Sequence, residues 1–240
     1  MAALFISDLH LSAARPEVVG LFLRFLAGPA RRAEALYILG DLFEYWAGDD
    51  NLEDAFNARV VSGLAETAAA GTQVYFMRGN RDFLIGDRFA QAAGATLMDD
   101  PLQVTLHGTA TLLTHGDQLC TDDVSYQAFR RQVREPAWIA AFLARPLQER
   151  KREIERLRSL SEAEKRRKSA AIMDVNAGAV AALLRRHGYP SLVHGHTHRQ
   201  ARHVHRVDQR ECERWVLPDW HETVDALAID ERGARFEPVE

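Results

Sequence analysis

Ala35-Leu36-Tyr37-Ile38-Leu39-Gly40-Asp41 holds the plan of the chain in seven positions. Five apolar residues in a row read as a buried strand. A glycine then frees the backbone to turn, and an isolated carboxylate follows at the strand end. Upstream, Ala2-Ala3-Leu4-Phe5-Ile6 is a strand of the same kind, running into Asp8-Leu9-His10. Downstream, Gln73-Val74-Tyr75-Phe76-Met77 runs into Gly79-Asn80-Arg81-Asp82. Helices lie between. One has Pro16 near its first turn and Leu21, Phe22, Phe25 and Leu26 on one face; the next spans about Leu52 to Ala70 and stops before Gly71. This βαβαβ rhythm predicts parallel strands with crossover helices, an α/β fold. Ligands of such sheets gather beyond the carboxyl ends of the strands, where these polar residues fall.

Farther along, Leu102 to Leu106 and Ala110 to Thr114 read as a hairpin around His107-Gly108. From about Thr121 to Asp174 strand signals vanish. That stretch is helical and amphipathic, with Trp138, Ile139, Phe142 and Leu143 in one cluster. Arg145 to Lys168 carries ten basic and five acidic residues, a local +5 in a chain of net charge -4. We expect an inserted helical cap with a basic face at about 122–172, within a single domain of residues 1–240. Val175 to Gly188 is a further helix with glycine as its C-terminal cap. Ser191-Leu192-Val193 is a strand opening into His194-Gly195-His196-Thr197-His198. Arg202 to Val207, Cys212 to Leu217 and Val224 to Ile229 alternate, and read as antiparallel strands.

Bulk properties exclude several classes. At 240 residues, 47% hydrophobic and 27% charged, the chain has the composition of an ordinary globular domain. Its net charge gives no reason to expect nucleic acid as a partner. Cys120 and Cys212 form no C-x-x-C pair and fit two unlinked thiols in a reducing compartment. The first apolar run has no basic flank and is cut by Asp8, so it is read as a strand rather than a signal peptide. No apolar run reaches the length of a membrane span. A cytoplasmic monomer is expected, with a place on a membrane face still open.

Five strand ends carry metal-binding residue types: Asp8-Leu9-His10, Gly40-Asp41, Gly79-Asn80-Arg81-Asp82, His115-Gly116-Asp117 and Gly195-His196-Thr197-His198. Oxygen and imidazole donors recurring at strand ends assemble a two-metal hydrolytic centre. Asp8 and His10, at i and i+2 of an extended strand, point the same way and reach one ion together. Glycines before Asp41, Asn80 and His196 allow sharp turns. Two cations ~3.5–4 Å apart need an anion between them, and Asp41 is the natural bridge. A lone D-x-H would more often be a capping or surface pair; five motifs in order change that balance. His194 is weighed between orienting a ligand and filling the core, and the structural reading is preferred. His107, His187, His203 and His205 read as bystanders, and Asp82 and Asp117 as loop holders.

The order D-x-H, G-D, G-N-R-D, H-G-D, G-H-x-H resembles the calcineurin-like metallophosphoesterases from Asp8 to His198. The resemblance implies a four-layer αββα sandwich of two mixed sheets. It implies one ion on Asp8, His10, Asp41 and His198, and another on Asp41, Asn80, His115 and His196. Gly40-Asp41-Leu42-Phe43-Glu44-Tyr45-Trp46, Gly79-Asn80-Arg81-Asp82-Phe83, Ile172-Met173-Asp174-Val175-Asn176 and His194-Gly195-His196-Thr197-His198-Arg199 narrow it. Together with the helical insertion, these resemble the UDP-2,3-diacylglucosamine pyrophosphohydrolases of lipid A synthesis. That likeness implies hydrolysis to UMP and 2,3-diacylglucosamine 1-phosphate by a dimetal-activated water attacking the α-phosphorus. It implies two Mn²⁺, with Fe²⁺ or Zn²⁺ as alternatives, and work on the cytoplasmic face of an anionic inner membrane.

By the same resemblance, Asp41, Asn80, Arg81 and His115 are catalytic. Asn80, Arg81, Asp123, Ser161, Lys165, Lys168 and His196 contact substrate. Arg81 suits phosphate through its bidentate fork, against the plainer reading of a salt bridge to a nearby carboxylate. Lys165-Arg166-Arg167-Lys168 is weighed evenly between a solvated face and an anion contact. Trp138, Phe142 and Leu143 either line an acyl groove or, more usually, pack the cap on the core. Another phosphodiesterase or nucleotide hydrolase on the same core is the alternative activity, and a non-catalytic scaffold ranks below it.

Overall fold

The computed structural model describes residues 1–165, 172, 174–221 and 224–239, leaving aside the side chains of 162–165. In chain order the elements are β1 (Ala3–Ile6), α1 (Pro16–Ala27), β2 (Ala35–Ile38), α2 (Ala55–Ala69), β3 (Gln73–Met77), α3 (Asp87–Ala93), β4 (Ala95–Met98) and β5 (Leu102–Leu106). Then come β6 (Thr109–Thr114), α4 (Val124–Val133), α5 (Pro136–Leu143), α6 (Leu147–Lys165), α7 (Ala177–Arg186), β7 (Ser191–His194), β8 (Ala201–Val207), β9 (Arg210–Val216), β10 (Asp225–Asp230) and β11 (Gly233–Pro238). They build a six-stranded sheet, β11-β10-β1-β2-β3-β4, and a five-stranded sheet, β5-β6-β7-β9-β8. Strands β1 to β4 are mutually parallel, as are β6, β7 and β9. Strands β10, β11, β5 and β8 pair antiparallel at the edges.

The uninterrupted apolar runs follow from burial on both faces. In β1 and β2, Leu4, Ile6, Leu36 and Ile38 face outward onto Phe22 and Phe25 of α1 and Val60 and Leu64 of α2. Ala3, Phe5, Ala35 and Tyr37 face inward and meet Leu113, Val193 and Trp215 of the other sheet. Leu112 and Leu192 then cover the far side against Val180, Leu183 and Leu184 of α7. The result is helices, sheet, sheet, helix: the four-layer αββα sandwich. Parallel β1, β2 and β3 and parallel β6 and β7 all end on one rim.

The tail strands pair antiparallel as expected, and they divide between the sheets: β8 and β9 form a hairpin, while β10 pairs with β1 in the other sheet. The inward-facing Leu227 and Ile229 explain this, because they complete the core between the sheets. α2 begins at Ala55 rather than Leu52, since Asp54 caps it through the Phe56 amide at 3.1 Å. α7 likewise begins at Ala177, capped by Asn176 on the Ala179 amide at 3.0 Å.

Among its described residues the insertion consists of three helices, α4, α5 and α6, joined by short turns, but it is no loose appendage. Trp138 and Phe142 stack with ring centroids 4.8 Å apart, and Phe142 is buried in the main core beside Ile154. These aromatics pack the insertion down. The inner stripe of α6 is carried by Arg150, Ile154 and Arg158 rather than by a wide apolar face.

Candidate metal centre

β1 and β2 continue to pair after their regular strands end. Asp8 N donates to Gly40 O at 3.1 Å, His10 N to Asp41 O at 3.0 Å and Leu11 N to Leu42 O at 2.8 Å. This places Asp8, His10 and Asp41 side by side, but not by strand alternation. Asp8, His10, Asp41, His196 and His198 all have left-handed backbones, with φ of 57°, 49°, 54°, 69° and 58°. Such conformations cost non-glycine residues energy and gather where geometry serves function. Of the three expected turn glycines, only Gly40 has positive φ, at 92°. Gly79 and Gly195 serve close approach instead: a Cβ on Gly79 would strike the Asp41 carboxylate, and one on Gly195 would strike Asp8 Oδ2.

Asp8 is fully buried, and Oδ2 accepts from Ser7 Oγ at 2.6 Å and His196 N at 2.8 Å. Oδ1 has no hydrogen bond from any described residue; His198 Nε2 stands 3.3 Å away, outside hydrogen-bond geometry. His198 Nε2 is also 3.3 Å from His10 Nε2. Three potential ligand atoms thus converge within 4.8 Å of one another. Asp41 faces two ways: Oδ1 is 3.8 Å from His115 Nε2, and Oδ2 is 4.0 Å from His10 Nδ1. His115 Nδ1 donates to Leu39 O at 2.8 Å, so Nε2 is the atom turned to Asn80 Oδ1 at 3.1 Å and to Asp41. The His196 ring stands edge-on to His115, centroids 5.2 Å apart. Hence His198 stands with Asp8 and His10, while His196 stands beside His115. Ligand atoms of Asp8, His10 and His198, and of Asp8, Asp41 and His115, lie within 4.8 Å of one another. A buried carboxylate oxygen without a donor, among carboxylate, amide and imidazole groups, fits divalent cations of the borderline class.

The electrostatics agree. Burial, with Asp82 and Asp8 nearby, raises the Asp41 carboxyl to about 7 despite the opposing His115. Burial opposes the charge on His115, yet Asp41, Asp8 and Asp117 outweigh it and raise the imidazole to about 9. His198 is raised to about 10: burial works against it, but the carboxylates of Asp219 and Asp8, 3.2 and 3.3 Å from its two ring nitrogens, prevail. Protons therefore hold the places that cations would take, and metal must displace them. We expect affinity for Mn²⁺ to rise with pH across about 6 to 8, roughly tenfold or more per unit. Calorimetry in buffers of different ionisation enthalpy should register proton release at pH ~7; binding without release would contradict this account.

The supporting residues sort cleanly. Asp82, fully buried, accepts from the amides of Asp41 (3.3 Å), Leu42 (2.8 Å), Phe43 (3.4 Å) and Gly79 (2.8 Å), so it holds both ligand loops together. Asp117 Oδ2 takes Tyr126 Oη at 2.7 Å and Arg130 Nε at 2.8 Å, tying α4 to the H-G-D turn. His194 is a core residue, bonded to Gly195 O at 2.8 Å and to Arg214 Nη1 at 3.0 Å. Burial and Arg214 lower it to about 4.

Among the expected substrate contacts, Arg81 Nη1 lies 3.5 Å from Glu44. Asp123 caps α4 through the Tyr126 amide at 3.1 Å. Ser161 is exposed on α6; Lys165 closes that helix, and Lys168 lies outside the described residues. Three groups escaped the sequence reading. Glu44 pairs with Arg81 and Arg158 and sits 3.7 Å from His10 Nδ1. Arg158 was hidden in the basic run. Asp219 Oδ2, 3.2 Å from His198 Nδ1, stands in a coil with no motif around it. Glu44 alone had a signal, inside the G-D-L-F-E-Y-W segment.

The family model for calcineurin-like phosphoesterases matches residues 1–200, a span that contains every one of these candidate ligands. The chain belongs to that family. It is 57% identical over 97% of its length to the UDP-2,3-diacylglucosamine hydrolase of Aromatoleum aromaticum, covering 95% of that protein. Against the enzyme of the same name from Pseudomonas aeruginosa it is 47% identical, with 99% of each chain covered. It therefore falls among the UDP-2,3-diacylglucosamine hydrolases. A dimetal phosphatase from Danio rerio shares the fold alone: TM-score 0.52 at 13% identity, with 100% of this chain and 99% of that one covered.

Proposed function

We propose that this metal-dependent hydrolase cleaves the pyrophosphate of UDP-2,3-diacylglucosamine, giving UMP and 2,3-diacylglucosamine 1-phosphate in lipid A synthesis. The observation that carries the reading is the convergence of Asp8, His10 and His198, and of Asp8, Asp41 and His115, in a chain 57% identical over 97% of its length to a hydrolase of that name. Asp8, His10, Asp41 and His198 would hold one Mn²⁺, and Asp41, Asn80, His115 and His196 the other. When bound, such ions supply Lewis acidity at phosphoryl oxygen and make water nucleophilic at neutral pH.

The chain's own groups do the rest. Water adds its oxygen to the α-phosphorus as the bridging P–O bond breaks, and the departing oxygen stays with the sugar 1-phosphate. Asp41 sets both halves of the centre in register, because one carboxylate faces both. Arg81 and Arg158 converge on Glu44 at the rim, and two guanidinium groups there suit a diphosphate. The Tyr126 ring lies over His196 at 5.9 Å, closing that side of the centre.

The insertion suits the lipid end of the substrate. Of the large apolar residues exposed among the described residues, Val124, Phe129, Leu143, Leu160 and Ile172 fall within it, and Met1 and Val204 outside. Among the described residues no helix is long and apolar enough to cross a membrane. Apolar tips on an insertion whose sequence from Arg145 to Lys168 carries a net +5 support binding on the anionic cytoplasmic face of the inner membrane, by shallow burial plus charge attraction.

The test is product analysis on UDP-2,3-diacylglucosamine, UDP-glucosamine and bis(p-nitrophenyl) phosphate side by side. UMP should form from the diacylated substrate with kcat/KM at least about a hundredfold above the other two, roughly 2.7 kcal/mol of discrimination. Equal rates on UDP-glucosamine would overturn acyl recognition and point to a general nucleotide phosphodiesterase.

A further inference from the structure

His198 differs from the groups it joins. Asp8 and His10 are buried, but the His198 side chain is 35% exposed and hangs from a left-handed residue. Packing alone does not fix its ring. Asp219 Oδ2 lies 3.2 Å from Nδ1, on the opposite side of the ring from the centre. Nε2 then faces Asp8 Oδ1 and His10 Nε2, both at 3.3 Å.

We infer that Asp219 is a positioning residue for the metal centre: it accepts the Nδ1–H of His198 and so fixes the tautomer whose Nε2 lone pair faces Asp8 and His10. The inference rests on reading those three residues as ligands of one ion, and it adds a residue outside every motif. The mounting of Asp219 supports it. Its neighbour Trp220 is buried, with its ring 6.1 Å from Phe22 and 5.5 Å from Phe25 of α1. Trp220 O accepts from Arg15 Nη2 at 3.4 Å. On the other side, Leu217 N donates to His194 O at 2.7 Å, tying the exit of β9 to the turn that carries His198. Asp219 is thus held from both flanks, by helix α1 on one side and by β7 on the other. A carboxylate behind a ligating imidazole orients it and raises its basicity, and losing one costs about 10–100-fold in metal affinity.

The measurement is Mn²⁺ binding to the full chain by titration calorimetry, with free Mn²⁺ counted by electron paramagnetic resonance. Wild type should take two ions. Asp219→Ala should weaken one of them by about 10–100-fold and leave the other within twofold. Asp219→Asn should fall between, because its carbonyl still accepts the Nδ1–H without the charge. It also carries the test if the alanine variant does not fold. A merely structural role would instead lower the melting temperature and weaken both ions together, which overturns the inference. Wild-type affinity at both sites in either variant overturns it as well. Fewer than two ions on the wild type would remove the two-metal reading itself, and this inference with it.

Discussion

Asp41→Asn should lower kcat at least about a hundredfold while leaving a folded protein. The geometry gives this carboxylate two duties, with Oδ1 toward His115 at 3.8 Å and Oδ2 toward His10 at 4.0 Å. Asparagine keeps the shape and an acceptor for the Arg81 amide, which donates to Oδ1 at 2.8 Å. It also tolerates the φ of 54° that alanine would adopt only under strain. What it removes is the negative charge that lets two cations sit close together. A hundredfold loss corresponds to roughly 2.7 kcal/mol of barrier. Stability should move the other way. Burial and the neighbouring Asp82 and Asp8 already push Asp41 to about 7, so its charge is unfavourable in the metal-free protein. A neutral amide there should hold or raise the melting temperature without metal. A folded variant retaining more than about a tenth of the wild-type rate would sink the bridging role, and a large drop in metal-free melting temperature would sink the electrostatic account.

How much of this was legible beforehand depended on whether a signal was local. The runs at Leu4 to Ile6 and Leu36 to Ile38 announced themselves because both faces of the sheet are buried. The ligands showed because each follows such a run. Strand β4, with one buried residue in four, and the largely unburied edge strand β11 lack that contrast. α3 is too short, at seven residues, to establish a period. The departure of β10 for the other sheet depends on which core Leu227 fills, a fact about the assembled layers. At the site, glycine was seen but its purpose was misjudged: Gly79 and Gly195 make room for carboxylates rather than for a turn. Asp219 was invisible because nothing in its neighbours' chemistry points to His198, 21 residues earlier in the chain. Arg150 was invisible for the opposite reason, as one arginine among many in a charged helix.

Arg150 carries the second large expectation. Its side chain is 2% exposed, in the helix with the highest charge density of the chain. Nε donates to Arg145 O at 3.0 Å; Nη1 donates to Ala47 O and to Asp50 Oδ1, and Nη2 pairs with Asp50 Oδ2. Gly48, at φ 124°, makes the space, since a Cβ there would collide with Nη1. Farther along α6, Arg158 reaches Glu44. The helix therefore lies along the loop of residues 44–50, held by arginines at both ends of that loop. Arg150→Met keeps the length and apolar stem but leaves Ala47 O and Arg145 O without their donor and Asp50 without its partner. A buried carbonyl left without its donor costs about 1–3 kcal/mol, and the Asp50 arm adds little because Asp50 is 48% exposed, so the loss is about 3 kcal/mol in all. For a chain of this size that lowers the melting temperature by roughly 6–12 °C. Function should divide in the same place. The ligand loops are held by Asp82 rather than by α6, so cleavage of bis(p-nitrophenyl) phosphate should stay within about threefold of wild type. KM for UDP-2,3-diacylglucosamine should rise at least about tenfold, roughly 1.4 kcal/mol, as Arg158 and the apolar tips lose their registration over the centre. A melting temperature within about 2 °C of wild type, or equal losses on both substrates, would mean that α6 is not what the arginine holds in place.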